Sequence, residues 1–354
     1  MYQGGFVVPI LLATLFTLLC FVVERALTIF KAKGKMDAGE FVRKVQYHLA
    51  NKNVDAAIAE CDKQAGSVGN VMRSGLKAYK HMITDNQLNH EQKILSIQKE
   101  IEEATALELP MLEKNLVFLQ AKLWDAQSKT LYHRWRDGAR DNVQLLDSHA
   151  YLLDGVIHLY EATLDPKHLD FALALETAMT ARFYDAANGG FFQSPAGSAD
   201  LLFRAKEDYD GAEPSGNNVA TVALLKLAAI TDDKAMRARA EKTLRLFAER
   251  LQRLPQAVPN LLLALDFSLH EPFRIVIAAP AKPDAQATAA LLRAAHGVYQ
   301  PNKVVLGNAG AVEPFAKTLP VKATPVVFLC TGTACQPPTS DPAKVKAMLT
   351  SKAL

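Results

Sequence analysis

Apolar positions along the chain first form one continuous block. From Phe6 to Val23 the sequence is uncharged and almost wholly apolar. A helix of about 18 residues spans about 27 Å, close to the thickness of a bilayer's hydrocarbon core. No Lys or Arg precedes Phe6, and the run ends in Glu24 and Arg25 instead of a small-residue cleavage site. The pattern therefore predicts an uncleaved membrane anchor and not a secretory signal. Arg25, Lys31, Lys33 and Lys35 follow the run, which predicts a single pass with the N-terminus outside and the bulk of the chain in the cytoplasm. Glu24 and Arg25 stand at the membrane interface, where such a pair marks an ion path or subunit contact, or simply snorkels into the headgroups.

The spacing then becomes helical. Over 37–76 the candidate buried positions are Phe41, Val45, Leu49, Ala56 and Ile58, with a hairpin turn at 51–55 and Cys61 as a small buried residue on the second helix. A long helix is expected from His90, bent or restarted at Pro110. Its carboxylates Glu100, Glu102, Glu103 and Glu108 read as a solvated face before they read as a cation site. After Ala121 the pattern is that of helical hairpins. Helices are expected over 146–164, 167–184, 217–230, 233–254 and 257–270. Short β-branched runs at 274–278, 303–306 and 325–330 alternate with helical stretches at 285–295 and 343–351, which predicts a small α/β unit.

Composition narrows the picture. An apolar fraction of 49% fits a folded chain, and a net charge of +3 spread along the sequence makes nucleic acid an unexpected partner. Cys20, Cys61, Cys330 and Cys335 are too scattered for a disulfide framework, which points to a reducing setting. Cys330 and Cys335 alone make a weak metal signal, and two reduced thiols at a strand end is the first expectation, ahead of a redox or metal role. No metal and no cofactor is implied.

Three segments carry a family resemblance: Gly-Gly-Phe-Val-Val-Pro-Ile at 4–10, Val-Val-Glu-Arg-Ala-Leu-Thr-Ile at 22–29, and the helix at 96–116 that closes in Leu-Glu-Lys-Asn-Leu. Residues 1–119 resemble the ExbB branch of the MotA/TolQ/ExbB proton-channel family. The resemblance implies a bacterial inner-membrane protein whose partners are ExbB, ExbD and TonB-type subunits. Relatives continue after Glu-Lys-Asn-Leu into a second span, and here no run of about 18 apolar residues follows. The segment reads as truncated, without a proton path.

Residues 120–354 resemble a second family. The matching pieces are Trp124-Asp125, Tyr160-Glu161-Ala162-Thr163, the Gly-Gly-Phe-Phe loop at 189–192, Asp210-Gly-Ala-Glu-Pro-Ser-Gly-Asn217, Tyr299 to Val304 and the closing 330–335 segment. They are similar to the thioredoxin domain-containing family of the spermatogenesis-associated protein 20 type. That resemblance implies an α/α toroid of the six-hairpin glycosidase kind, of which this chain holds only the later part and none of the thioredoxin-like domain. The fold class expected is thus mainly α: a transmembrane anchor (1–35), ExbB-like cytoplasmic helices (36–119), a partial toroid (120–270) and a small α/β unit (271–354).

Candidate chemistry gathers in the toroid's loops. Asp210, Glu213 and His149 are the candidate catalytic residues, and Arg204, Lys206, Asp208 and Asn217 the candidate ligand-binding ones, for a sugar-like ligand. Two carboxylates across a glycosidic bond would make a hydrolase, and a base beside a sugar's carbonyl-adjacent carbon an epimerase. The same loop would equally serve as a helix cap through Ser215 or Asn217, with Gly216 for tight geometry. No Pro, Gly or polar linker divides the two halves around 113–125. The whole chain reads as a fusion cut inside both parent domains, as a membrane-anchored binding protein, or as an epimerase or hydrolase-like enzyme.

Overall fold

The computed structural model describes residues 35–36, 38–84, 90–198, 201, 203–332 and 334–350. The anchor at 6–23, with Glu24, Arg25 and Cys20, lies outside them, as does the stretch 85–89. Among the described residues no helix is long and apolar enough to cross a membrane. The chain divides into two compact units, Met1–Met111 and Leu112–Leu354.

In the first unit, α1 (Ala38–Ala50), α2 (Val54–Gln64) and α3 (Ser67–Thr84) pack in sequence. The turn between α1 and α2 falls where the pattern places it, with Asn53 accepting from Ala56 N as the N-cap. Phe41, Val45, Ala57 and Cys61 form the core, against Met36, Val42, Met72 and Leu76. Leu49 is exposed and Ala56 and Ile58 are only half-buried, because Ala57 and Cys61 take the inward positions of α2. The helix α4 (His90–Lys122) runs through Pro110 as one helix, where the sequence predicts a bend or restart. A proline costs one i→i−4 hydrogen bond, and a helix of this length survives that loss.

The second unit opens with two small antiparallel ladders, β1 (Trp124–Asp125) with β2 (Thr130–Leu131) and β3 (Trp135–Arg136) with β4 (Ala139–Arg140). The helices α5 (Leu146–Thr163), α6 (Pro166–Phe183), α7 (Gly216–Thr231), α8 (Lys234–Leu246), α9 (Ala248–Arg253) and α10 (Pro259–Leu269) follow. Leu164 in left-handed geometry closes α5, and Asp165 with Pro166 starts α6 at once. Asp232 and Asp233 do the same between α7 and α8. The expected single helix over 233–254 breaks at Phe247, whose ψ of 15° leaves the helical range. α7 is the most deeply buried element, packed by α5, α8 and α10.

A four-stranded sheet closes the chain, in the order β6 (Lys303–Gly307), β5 (Phe273–Ala278), β7 (Val326–Thr331), β8 (Ala334–Cys335). β5 and β6 are parallel, linked through α11 (Ala285–His296), and β7 runs antiparallel to β5. Ile275, Ile277, Val305, Val327 and Leu329 pack on one face with Leu291, Ala294, Val345 and Leu349 from α11 and α13 (Pro342–Thr350), which follows α12 (Pro314–Thr318). The outer edge of β6 is sealed by α5: Val305 N donates to Glu161 Oε1 at 3.0 Å and Gly307 N to Tyr160 Oη at 3.2 Å. The described chain is mainly helical with a small sheet unit.

Candidate functional site

The two loops singled out in the sequence meet at the N-terminus of α7. The first, between α6 and Gln193, is organised by Asp185. Its carboxylate accepts from Ala187 N, Asn188 N and Nδ2, and Lys206 Nζ, the last at 2.7 Å. These bonds, the Lys206 contact foremost, hold its pKa below the usual carboxylate range. Gly189 and Gly190 both have positive φ, and a Cβ on Gly190 would come within 2.6 Å of Leu246 Cδ2. That close approach brings α8 against the loop.

Asn217 then pins the loop. Its Oδ1 accepts from Phe191 N at 2.7 Å, and its Nδ2 donates to Phe191 O and Glu207 O, so the fully buried amide acts as a strand partner to both loops. Arg204 donates to Ser194 O and Arg182 O and stacks 4.0 Å from the Phe192 ring centroid, with Lys206 Nζ at 4.7 Å from it. Asp208 pairs with Arg250 Nε at 3.0 Å. Asp210 accepts from Ser215 N, Asn218 Nδ2 and, at the first turn of α10, Asn260 N. Ser215, and not Asn217, is the N-cap of α7.

The candidate catalytic residues stand in different settings, Asp210 bonded within the loops, His149 buried and Glu213 exposed. His149 is fully buried on α5, with Nδ1 bonded to Leu145 O, Nε2 without a hydrogen bond, and its ring edge-on to Phe183. Burial lowers its pKa to about 4. Glu213 is exposed on the loop. The residue that the sequence reading passed over is Asp147, whose Oδ1 is buried without a hydrogen bond. Burial first, and the charge of Glu207 second, push its carboxyl above the usual range. Gly216 has no alternative there, since a Cβ would overlap Asp147 Oδ1. Tyr151, whose Oη donates to Pro214 O, is pushed up to about 12 by burial and then by Asp147. The helical spacing of 147 and 151 was the available signal: four residues apart, they share a face.

Beside these loops lies a cavity of about 390 Å³ lined by Asp208, Leu246, Phe247, Glu249, Arg250, Arg253 and Leu254. Its charges are balanced, Asp208 with Arg250 and Glu249 with Arg253 at 3.0 Å. The volume suits a small ligand, and the lining mixes apolar with charged side chains. The break at Phe247 places this cavity, because one unbroken helix would carry Arg250 elsewhere on its surface. Among the described residues no group of three His, Cys, Asp or Glu side chains stands together as a metal site. Cys330 and Cys335 form a disulfide, which corrects the expectation of two reduced thiols. They face each other directly across the β7–β8 hairpin, a pairing that spacing alone does not reveal.

No family model matches the chain. Over 249 residues it is 32% identical to spermatogenesis-associated protein 20 of Rattus norvegicus, and equally to those of Mus musculus and Homo sapiens; each match covers 66% of this chain and 31% of the relative. The matched part is homologous to spermatogenesis-associated protein 20. The chain spans about a third of the length of these curated relatives. Nothing in these comparisons speaks for the ExbB-like reading of residues 1–119.

Proposed function

We propose that the chain is a fusion of a truncated ExbB-like segment with the C-terminal part of a protein of the spermatogenesis-associated protein 20 type, and that the second part binds a small sugar-like ligand. The fusion reading is supported by a match that takes in 66% of this chain but only 31% of the relative. The division at Met111 and Leu112, close to where the sequence pattern changes, agrees with it. The first 119 residues tether the chain to the bacterial inner membrane, without proton-channel activity, beside ExbD and TonB-type subunits. Reading single long DNA molecules across the codons for 113–125 tests the seam; a source genome without it ends the fusion reading.

The observation that carries the binding reading is the cavity beside the two loops, lined by two ion pairs together with Leu246, Phe247 and Leu254. Asp208 fixes one side of it through Arg250, while Arg204, Lys206, Asp210 and Asn217 hold the neighbouring loops in place. Titration calorimetry of the full chain with neutral mono- and disaccharides tests it. Arg253→Ala, exposed and remote from the fold's supports, weakens binding about tenfold, in keeping with loss of one charged hydrogen bond. Absence of heat from a folded protein across the panel would defeat the reading.

One observation favours a second reading, an epimerase or hydrolase-like enzyme. Asp147 is a carboxyl kept protonated more readily than usual beside the ionisable Glu207 and Glu213, the pattern of an acid–base pair. Asp147→Asn then abolishes turnover while leaving saccharide binding in place.

A further inference from the structure

Three residues stand in one row across the sheet. Arg274 on β5 pairs in register with Cys330 on β7, and Cys330 pairs with Cys335 on β8. Directly paired residues share a face of the sheet, with Cβ atoms about 5 Å apart. The Cβ of Arg274 therefore stands beside that of Cys330, at one end of the disulfide. Arg274 is itself well buried, donating Nε to Ala229 O at 3.0 Å and lying 3.4 Å from Glu313 Oε2. Both contacts engage Nε.

The two sulfurs differ. Cys330 is fully buried, whereas Cys335 is part-exposed at the sheet's edge, next to a turn whose Gly332 has open space around it. The hairpin does not depend on the bridge to stay paired. Gln336 N donates to Leu329 O, and Val327 and Thr339 exchange both backbone bonds, so the ladder continues beyond the cysteines. Reduction would leave both thiols aligned for closure, with the loop-closing cost already met by the backbone.

We propose that Cys330–Cys335 is a thiol–disulfide exchange site for a dithiol reductant, in which Cys335 is the sulfur attacked, Cys330 the leaving group and Arg274 the cation that receives it. A thiolate of the reductant attacks Cys335 Sγ along the S–S axis. The Cys335–Cys330 bond breaks, a mixed disulfide forms at Cys335, and the electron pair leaves on Cys330 as a thiolate facing Arg274. The reductant's second thiolate then attacks its own sulfur in the mixed disulfide and expels Cys335 as a thiolate. Two electrons pass to the protein and the reductant ends as its disulfide.

The test uses the full chain in native buffer with dithiothreitol as the probe, acid quenching, alkylation and mass spectrometry of the peptide carrying both cysteines. The expected result is conversion from no label to two labels as reductant rises, with the far-UV circular dichroism unchanged. Arg274→Gln slows the conversion about tenfold, as expected for a leaving thiolate that has lost its cation. Reduction only after denaturant is added would overturn the proposal, as would two labels before any reductant. An unchanged rate in folded Arg274→Gln would remove Arg274's part, and if that variant fails to fold, the native-buffer reduction of the unaltered chain still decides between an exchange site and a locked bridge.

Discussion

Asp210 takes hydrogen bonds from three segments, through Ser215 N, Asn218 Nδ2 and Asn260 N. Removing it strands donors at the start of α10 and in the loop before α7. Asp210→Ala is expected to cost about 2–4 kcal/mol, from more than one unsatisfied donor, measured by urea unfolding. A cost below about 0.5 kcal/mol would mean that the loop does not need this anchor. His149 makes a pH-dependent counterpart. Its folded pKa of about 4 lies below the ordinary 6.5, so the stability it lends is fully present above 6.5 and is lost as pH falls towards 4. The loss amounts to about 3 kcal/mol over that window. His149→Phe should flatten the difference between unfolding free energies at pH 7 and pH 4.5, while His296, also lowered by burial, keeps its own slope in both proteins. Residue types alone pointed to Asp210 and His149 as chemistry; which of their atoms are already used is a property of the packed loops, and only tertiary contacts supply it.

At the scale of elements, periodicity was enough where one face is apolar and the ends are capped. Asp165-Pro166 and Asp233 mark helix starts in the sequence, and α6 and α8 begin beside them. The ladders near 124–140 were missed although Asp137-Gly138, both with positive φ, is a standard two-residue hairpin signal. Strands of two residues carry no alternation to read. The break at Phe247 was equally hidden, since Leu244, Leu246 and Leu251 continue the helical spacing past it. A less visible dependence joins α5 to the sheet. Glu161 accepts from Val305 N and lies 3.7 Å from Lys226 Nζ, and its backbone oxygen receives His296 Nε2. Glu161→Ala leaves a buried edge N–H without its acceptor and removes the counter-charge of Lys226, whose Nζ keeps His158 Nε2 at 2.8 Å. The expected cost is about 3 kcal/mol, and amide exchange at Val305 should accelerate before that of Val276 in the centre of the sheet. Equal protection of the two amides would show that the edge is closed by something other than this carboxylate.

For the whole molecule, a covered α7 is bordered by an α10 that is apolar on both sides. Leu261, Ala264 and Phe267 are buried against the unit, yet Leu263 and Leu269 are 52% and 71% exposed. Single exposed leucines are ordinary, but with Leu262 at 37% three stand exposed on one helix, enough to ask for a cover. Burying each leucine side chain stabilises by about 2 kcal/mol, so a symmetric contact of two leucines from each copy gains about 8 kcal/mol before the cost of association, which supports weak self-association but not a tight dimer. Light scattering of the full chain in a fixed detergent should therefore show a weight-average mass that falls on dilution. Leu263→Glu with Leu269→Glu, which places charge on that face without touching the core, should lower the mass at the highest concentration and leave the melting temperature within a few degrees. If the doubly substituted chain associates as strongly as the original, α10 is not the adhesive face.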